Sequence, residues 1–298
     1  MAGEPNWIGC EMELDTIITG DSAVVLQSFP PDCIDLTVTS PPYDNLRTYN
    51  GFTFDFETIA RQLFRVTKVG GIVVWVVGDA TVNGSETGTS FKQALFFKEC
   101  GFNLHDTMIY RTNKPPMNDR RYQSEFEYMF IFSKGIPQNF NPILIPSLHP
   151  NVRHTGGHRT KDGKKTTHER KQDRTAEYKI AGNIWYFPRS SKSGDEYSRE
   201  HPATFPEALA QDHILSWSNN GDIVLDCFCG SGTTPKMAKL LNRHYIGIDI
   251  SAEYVALANE RLAQLGRGLT PREPDKRDSS PSQAFSQPEF LSDLEGLS

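Results

Sequence analysis

The fold class follows from one stretch of the sequence, Ile223-Val224-Leu225-Asp226-Cys227-Phe228-Cys229-Gly230-Ser231-Gly232-Thr233-Thr234. Its first part is apolar enough for a buried strand, and its two glycines mark a tight turn that opens a helix. Glycine lets the backbone pass close to a ligand, and the N-terminus of the helix adds N–H groups beside it. The stretch predicts a strand, a turn and a helix of an α/β sheet, with either a ligand at the turn or an ordinary tight connection.

A second polar side chain is expected at the same edge of the sheet. Asp249 ends the next predicted strand, about 20 residues further on, where a carboxylate can accept hydrogen bonds from both hydroxyls of a ribose. The glycine turn and this aspartate together are typical of a site for a nucleoside cofactor. The dinucleotide fingerprint is excluded because Pro235 stands three residues after Gly232, and a P-loop is excluded because no Gly-Lys-Ser/Thr follows.

Apolar runs and helical spacings alternate along much of the chain, which is the pattern of a mostly parallel sheet covered by helices. Strands are predicted at Ile34–Thr39 and 72–77, with a helix over 56–67 between them. The run at 72–77 is apolar throughout, as expected for a strand buried on both faces. Two later strand candidates can pair antiparallel, at 104–110 and 126–132.

The segment Ser40-Pro41-Pro42-Tyr43 comes directly after a predicted strand, at the end where open α/β sheets bind their ligands. Two prolines fix the backbone and bring no N–H groups, so nearby carbonyl oxygens stay available to accept hydrogen bonds. These carbonyls and the Ser40 hydroxyl suit an exocyclic NH2 group, and Tyr43 offers a flat face on which a base can stack. A rigid loop with a surface tyrosine is the alternative interpretation.

Composition places the chain among soluble globular proteins, with 37% hydrophobic and 23% charged residues in 298. No apolar run approaches the roughly 18–20 residues that cross a bilayer, and the N-terminal residues lack the pattern of a secretory signal. Five scattered cysteines argue against a disulfide scaffold, and we expect a cytoplasmic location. Cys227 and Cys229 have no second pair at zinc spacing, so we expect no metal and a structural role for both.

The net charge of −6 conceals a strongly basic segment. Between Arg153 and Arg174, eight basic residues face three acidic ones, and Pro, Asn, Gly and His replace the strand and helix patterns. A basic patch on an acidic body is compatible with a surface that contacts phosphates, although a solvated flexible loop has the same composition. A second basic cluster precedes it and consists of Arg111, Lys114, Arg120 and Arg121.

Four motifs, over roughly residues 8–265, resemble those of S-adenosylmethionine-dependent DNA amino-methyltransferases. Ser40-Pro41-Pro42-Tyr43 looks like their catalytic motif, and the stretch from Asp226 to Thr234 looks like their cofactor motif. His201-Pro202-Ala203-Thr204-Phe205-Pro206 resembles a third motif, and Gly20-Asp21 is similar to the turn whose acidic residue contacts the adenine of the cofactor. The catalytic motif comes first and the cofactor motif last, an order similar to the β class of these enzymes.

The resemblance implies an α/β fold of the Rossmann-like class I methyltransferase type, with a mostly parallel seven-stranded sheet. Its motif order is circularly permuted, and a target-recognition segment is inserted. The catalytic half would span 8–135, the target-recognition insert 136–183 and the cofactor-binding half 184–265. A tail over 266–298, rich in proline, serine and charge, is expected to be disordered.

The resemblance also implies S-adenosyl-L-methionine as the cofactor and double-stranded DNA as the substrate, with the target base flipped out of the duplex. The predicted catalytic residues are Ser40, Pro41, Pro42 and Tyr43. The predicted cofactor-binding residues are Asp21, Phe205, Asp226, Phe228, Gly230, Gly232, Thr233 and Asp249, with Asp226 and Gly230 by the methionine part and Asp249 on the ribose. The predicted DNA-binding residues are Arg111, Lys114, Arg120, Arg121, Arg153, Arg159, Lys161, Lys164, Lys165, Arg170 and Lys171.

Two positions depart from the family's usual pattern. Cys227 replaces a proline that only stiffens the turn, so we expect little loss. Ser40 stands first in the catalytic motif, where serine is more often associated with N4-cytosine enzymes and aspartate with N6-adenine enzymes. We therefore expect methylation at N4 of cytosine. The alternatives are an N6-adenine DNA methyltransferase, an RNA or protein amino-methyltransferase, and an inactive DNA-binding protein.

Partners beyond DNA follow only from the resemblance. A restriction-modification system with a cognate restriction endonuclease and a homodimer are both compatible with it, and no residue decides either. We expect no association with a membrane.

Overall fold

The middle of the sheet is built on an apolar strand, Thr67–Val77, in which every residue from 70 to 77 is buried. Such a strand needs neighbours on both sides and cover on both faces. It pairs in parallel with Ile34–Thr39 and antiparallel with Phe126–Ser133. Phe126–Ser133 in turn pairs antiparallel with Asn103–Arg111, so the antiparallel pair predicted from the sequence is present.

The computed structural model describes residues 12–42, 55–112, 121–147, 157–159, 161–167, 177–187 and 206–267. The strands are β1 (Thr16–Thr19), β2 (Ile34–Thr39), β3 (Thr67–Val77), β4 (Thr81–Val82), β5 (Ser85–Glu86), β6 (Asn103–Arg111), β7 (Phe126–Ser133), β8 (Leu144–Pro146), β9 (Gly157–Arg159), β10 (Lys165–Thr167), β11 (Tyr178–Ile180), β12 (Ile184–Tyr186), β13 (Ile223–Asp226) and β14 (His244–Asp249). The helices are α1 (Ser22–Val25), α2 (Phe56–Val66), α3 (Thr89–Glu99), α4 (Glu207–Trp217), α5 (Thr233–Leu240) and α6 (Ala252–Ala263), with 3-10 turns at Leu26–Ser28 and Gln264–Arg267.

The main sheet has eight strands in the order β1-β14-β13-β2-β3-β7-β6-β12. All neighbouring pairs are parallel except those that involve β7, so seven strands run one way and one runs against them. The expected mostly parallel sheet is therefore confirmed, with one strand more than the seven expected. The additional edge strand is β12, which pairs in parallel with β6 and buries Trp185.

Helix α2 shows how the sequence covers this sheet. The Asp55 side chain caps its N-terminus by accepting a hydrogen bond from the Thr58 N–H at 3.1 Å. Ile59, Leu63 and Val66 recur at helical spacing and are completely buried. Each such side chain stabilises the fold by about 1.5–3 kcal/mol relative to an exposed position.

The described residues divide into two compact units. One contains the eight-stranded sheet and draws on residues up to 141 and from 182. The other is formed by the described residues of 142–181, within the segment predicted to recognise the target. No helix in the described ranges is long and apolar enough to cross a membrane. The predicted tail lies outside the described residues from 268 onward.

Candidate active site

The carboxyl ends of β2 and β13 meet at one edge of the sheet, because these two strands are parallel neighbours. From β2 the chain continues to β3 on one side, while from β13 it continues to β14 on the other side. Open α/β sheets bind ligands in the crevice that forms where the strand order diverges in this way. The Ser40-Pro41-Pro42 segment leaves β2 at this edge, with Pro41 buried and Ser40 half-buried. Tyr43 lies outside the described residues.

Asp226 is tied to the catalytic segment through Thr39. The Thr39 hydroxyl donates a hydrogen bond of 2.6 Å to Asp226 Oδ1, although the two residues are 187 positions apart in sequence. The Phe228 N–H donates to the same oxygen at 3.1 Å. These bonds hold one face of the carboxylate at the edge where Ser40 begins.

The Asp226 side chain is 1% exposed, and this burial dominates its electrostatics. Desolvation raises its pKa to about 6, against the opposing effect of hydrogen bonds from Thr39, the Phe228 N–H and Thr234. The negative charge of Asp249 raises the same pKa further. A buried carboxylate with a raised pKa is a strong attractor for a cation that enters the site.

The glycine turn is shaped by close packing against α6. Gly232 has φ of 78° and precedes the first residue of α5, and its N–H donates to the Cys229 carbonyl at 2.8 Å. A Cβ at Gly232 would lie only 3.0 Å from the Cβ of Ala258. Gly230 also has a positive φ, of 49°. Both glycines therefore occupy positions where a side chain is disfavoured, for backbone conformation in each and for space at Gly232.

Asp249 fastens the turn to the end of β14. Its Oδ2 accepts a hydrogen bond from the Gly230 N–H at 2.8 Å, and its Oδ1 accepts one from the Ser251 N–H at 2.9 Å. Burial raises the pKa of this carboxyl in spite of the two bonds. Each carboxylate oxygen has two lone-pair directions, so both keep acceptor capacity for a ligand.

Asp21 reaches the same neighbourhood from β1. The Gly20 N–H donates to the Asp249 carbonyl at 2.9 Å, and Asp21 then caps α1 by accepting from the Ala23 N–H at 2.8 Å. The Ser22 hydroxyl donates to the Cys227 carbonyl, which connects α1 to the cofactor stretch. Phe205 lies outside the described residues.

Phe228 and Thr233 complete the described part of the predicted cofactor set. The Phe228 ring packs edge-on against Trp75, with the ring centroids 6.1 Å apart. The Thr233 hydroxyl accepts a hydrogen bond from Arg261 at 3.1 Å. The structure thus gathers the described residues of the predicted cofactor set at one edge, beside Ser40.

Four residues at or behind this edge were not predicted from the sequence: Thr39, Glu207, Lys236 and Arg261. Thr39 adjoins Ser40, so its position in the sequence was a usable signal. The other three are ionisable residues on helices, a pattern that usually indicates a solvated helix face. Lys236 and Arg261 are nevertheless buried, with 5% and 1% exposure. No local pattern distinguishes them from surface residues.

The two cysteines of the cofactor stretch are buried, and both are free thiols. Burial raises the pKa of each thiol well above its ordinary value, so both remain protonated at neutral pH. A protonated, buried thiol is inert as a nucleophile and is a poor metal ligand. Within the described ranges, no group of three or more His, Cys, Asp or Glu residues is placed to hold a metal ion.

The two described residues of the basic cluster that begins at the end of β6, Arg111 and Arg121, are paired with acidic residues. Arg111 forms an ion pair of 3.1 Å with Glu125, and both side chains are nearly half exposed. Arg121 donates to the Gly84 carbonyl of the β4–β5 hairpin and lies 3.8 Å from Glu86. Lys114 and Arg120 lie outside the described residues.

The smaller unit carries the other described residues of the predicted DNA-binding set. β9 and β10 form an antiparallel hairpin in which Arg159 stands opposite Lys165. Lys161 and Lys164 are exposed in the connection between these strands. A second antiparallel pair joins β8 to β11. The other predicted DNA-binding residues of this segment lie outside the described ranges: Arg153, Arg170 and Lys171.

Comparison with known families gives a match over most of the chain. The family model described as DNA methylase, of the N6 and N4 type, matches residues 34–260. This range begins with β2 and ends within α6, so it contains both strands that form the candidate site.

Individual proteins agree with this match. The orphan methyltransferase M.BamHII of Bacillus amyloliquefaciens is 57% identical over 238 residues, which are 78% of this chain and 89% of that protein. The PvuII DNA methyltransferase (cytosine-N4-specific) matches with a TM-score of 0.60 and 23% identity over 82% of this chain and 85% of its own. A DNA modification methylase of Thermus thermophilus, TTHA0409, complexed with S-adenosyl-L-methionine, matches with a TM-score of 0.58 and 24% identity over 85% of this chain and 95% of its own. The two structures confirm the predicted Rossmann-like fold.

Proposed function

The chain belongs to the family of N6 and N4 DNA methylases, and on this premise we propose that it methylates the exocyclic amino group of a flipped-out base, with N4 of cytosine as its preferred target. It is an S-adenosyl-L-methionine-dependent DNA methyltransferase, as the resemblance predicted. One observation carries the assignment of residues. Ser40 directly follows β2, and Asp226 is the last residue of the parallel neighbour β13. The Thr39–Asp226 hydrogen bond joins the two segments.

The residues at this edge fit the cofactor by their chemistry. S-adenosyl-L-methionine carries a sulfonium and an ammonium group, and Asp226 offers a buried carboxylate and Asp249 a half-buried one, both with remaining acceptor capacity. The Ser231 hydroxyl is buried and has no hydrogen-bond partner among the described residues, so it can serve a polar ligand. Gly232, at the start of α5, lets the backbone approach that ligand. When bound, the cofactor supplies a methyl group on a positively charged sulfur.

Each carboxylate has a separate task in this proposal. Asp226 faces the methionine part, where its negative charge attracts cationic groups. Asp249 accepts hydrogen bonds from the ribose hydroxyls, because its oxygens are already oriented by the Gly230 and Ser251 N–H groups. Asp21 contributes at the adenine, on the turn that the Gly20 N–H attaches to β14.

Ser40 and the Pro41 carbonyl act on the target base. The lone pair of a base amine is delocalised into the ring, so the amine is a weak nucleophile. Hydrogen bonds from the amino group to Ser40 and to the Pro41 carbonyl favour a pyramidal nitrogen and release the lone pair. The two positions also align the nitrogen with the methyl group, which is a gain in proximity and orientation. Tyr43 holds the flipped base by stacking.

The exposed basic residues bind the DNA backbone in this proposal. Lys161 and Lys164 contact phosphates, which position the protein without reading the sequence. Arg111 and Arg121 contribute after exchanging their acidic partners for phosphate. A restriction endonuclease partner, a homodimer and a cytoplasmic location remain predictions from the sequence.

The test identifies the methylated base. The protein is incubated with S-adenosyl-L-methionine and unmethylated genomic DNA, and the digested nucleosides are analysed by mass spectrometry. N4-methyldeoxycytidine is the expected product. N6-methyldeoxyadenosine would keep the fold and cofactor and would contradict the assignment of cytosine. A preparation that methylates no base in DNA would contradict the proposed function itself.

Ser40→Ala separates the catalytic segment from the cofactor site. We expect kcat to fall about 10- to 100-fold, the cost of losing a hydrogen bond that forms with the reacting group. The Kd for S-adenosyl-L-methionine, measured without DNA, should stay within about twofold of wild type. Ser28→Ala is the matched control, because Ser28 is an exposed serine whose hydroxyl only bonds the Val25 carbonyl. Equal kcat values in the two variants would remove Ser40 from the mechanism.

A further inference from the structure

We infer that Arg261 is a positioning residue for the cofactor turn, which is the glycine turn that contains Gly230 and Gly232. It acts from behind this turn through the Ser231 carbonyl and the Thr233 hydroxyl. This inference rests on the proposed function, since it concerns the affinity of the same cofactor site. The guanidinium does not need to touch the cofactor. It holds the backbone of the turn at Ser231 in place.

The contacts of Arg261 converge on the turn from α6. One terminal nitrogen, Nη1, donates to the Ser231 carbonyl at 2.9 Å and to Thr233 Oγ1 at 3.1 Å. The other, Nη2, donates to Glu207 Oε1 at 2.7 Å. Arginine presents these donors in one rigid plane, so a single side chain orients two parts of the turn at once.

Helix α6 packs against the turn at two successive positions of one face. Ala258 lies against Gly232 so closely that a Cβ there would be only 3.0 Å away, and Arg261 follows three residues later. Residues three apart lie on the same side of a helix. The small residue brings the helix close, and the arginine then reaches the Ser231 carbonyl.

Glu207 connects this contact to a third helix. It is the first residue of α4, and its Oε1 also accepts from Lys236 of α5 at 2.6 Å. Lys236 and Arg261 are both buried, and Glu207 provides a negative charge next to each of them. The network therefore fixes the starts of α4 and α5 relative to α6. The cofactor turn lies directly before α5.

The network also decides which variant is informative. Glu207→Gln would remove a negative charge that two buried cations share, and a general loss of stability would result. Arg261→Ala leaves the Lys236–Glu207 ion pair in place and removes the hydrogen bonds that Arg261 donates to the Ser231 carbonyl and to the Thr233 hydroxyl. We therefore expect Arg261→Ala to weaken the cofactor site more than it weakens the fold.

Arg243 provides a matched control. It is also buried, with 9% exposure, and its guanidinium also holds backbone carbonyls, those of Ser218 and Leu241. It immediately precedes β14, at the end of that strand opposite to Asp249. Arg243→Ala thus removes the same side chain and a similar set of hydrogen bonds away from the cofactor turn.

The experiment measures binding of S-adenosyl-L-methionine to each full-length variant by calorimetry without DNA, together with Tm. For Arg261→Ala we expect a Kd at least about tenfold above wild type, and for Arg243→Ala a Kd within about twofold despite a comparable loss of Tm. Arg261→Lys should be intermediate, because an ammonium cannot reproduce the planar set of donors. In steady-state assays, the KM for the cofactor should rise more than kcat falls.

Two results would overturn the inference. One is a wild-type Kd in Arg261→Ala, and the other is an equal rise of Kd in Arg243→Ala. If Arg261→Ala does not fold, Arg261→Lys decides on the same criterion, with an unchanged Kd counting against the inference. A wild-type protein that binds no S-adenosyl-L-methionine would instead contradict the proposed function. A wild type that binds it without methylating DNA would contradict the proposed function and leave the inference standing.

Discussion

The cofactor edge and the exposed basic residues use charge in opposite ways. At the cofactor edge, Asp226 is 1% exposed, and its orientation is fixed by hydrogen bonds before any ligand arrives. Among the basic residues, Arg111 of the larger unit is nearly half exposed and paired with Glu125, and Lys161 and Lys164 of the smaller unit are exposed. A buried charge is costly and precisely oriented, whereas exposed charges cost little and are screened by salt.

In the proposed function, this difference divides binding between the two substrates. A small cofactor offers few contacts, so each must be strong, and a preorganised buried carboxylate supplies one. DNA offers many phosphates, so many weak and exchangeable contacts suffice. The three tests below act on one region or the other, in order of decreasing expected effect.

Asp226→Asn should give the largest effect and should separate function from stability. We expect a Kd for S-adenosyl-L-methionine about 10- to 100-fold higher, since a hydrogen-bonded charge is lost. The free energy of unfolding should rise by about 1–3 kcal/mol at pH 8. The raised pKa means that burial of the ionised carboxylate destabilises the fold at this pH, and asparagine carries no charge. Calorimetry and urea unfolding measure the two quantities.

Asp35→Asn is the control for that variant, because Asp35 lies near the other end of β2. Its carboxylate accepts from Lys68 at 2.8 Å and from the Ile223 N–H at 2.9 Å. The control should lose stability and keep its cofactor affinity, the reverse of Asp226→Asn. A loss of stability in both variants would show that Asp226 is a structural residue.

The pH dependence of cofactor binding should follow Asp226. The pKa of Asp226 is about 6 in the folded protein, against an ordinary value of 3.8. Its protonated form therefore stabilises the fold below about pH 4, and this stabilisation is lost as the pH rises through about 6. Cofactor affinity should run the other way and fall, by up to about tenfold per pH unit, as pH drops below about 6. Titration calorimetry between about pH 5 and 8 measures this, and Asp226→Asn should flatten the profile. A wild-type profile without a step near pH 6 would contradict the role of this charge.

The smallest effect is expected for the exposed lysines of the smaller unit. Replacing Lys161 and Lys164 together by alanine should reduce the slope of log affinity for DNA against log salt by about 2, with only a several-fold loss at moderate salt. Lys92 and Lys98, exposed on α3, provide a control pair of equal charge. Fluorescence anisotropy at several salt concentrations gives the slopes. An equal change of the slope in both double variants would show that net charge, rather than the position of Lys161 and Lys164, governs the affinity for DNA.

Most strands of the main sheet and the cofactor turn were predictable because their signals are local. The run at 72–77 is apolar throughout, and the glycines at 230 and 232 follow an apolar strand. The structure places them as the sequence indicated, in β3 and between β13 and α5. The two edge strands, β1 and β12, were not predicted, because they have only four and three residues and each pairs with a single neighbour.

Within the site, the predictable residues are those that stand in a motif. The motif positions Ser40, Asp226 and Asp249 could be read directly, since each follows or ends a recognisable strand. Lys236 and Arg261 could not, because a charged residue on a helix gives the same signal whether it is solvated or buried. Their burial depends on Glu207, which is 54 positions from Arg261 in sequence.

The amino-acid sequence by itself determined the α/β class and the motif order and indicated the candidate site residues, since backbone periodicity and turn glycines act over a few residues. Only the tertiary structure decided that Thr39 bonds Asp226, that Asp249 fastens the glycine turn, and that Arg261 holds the same turn from behind. These contacts join distant parts of the chain. The parallel order of the sheet brings them together, and burial then determines which charges they must satisfy.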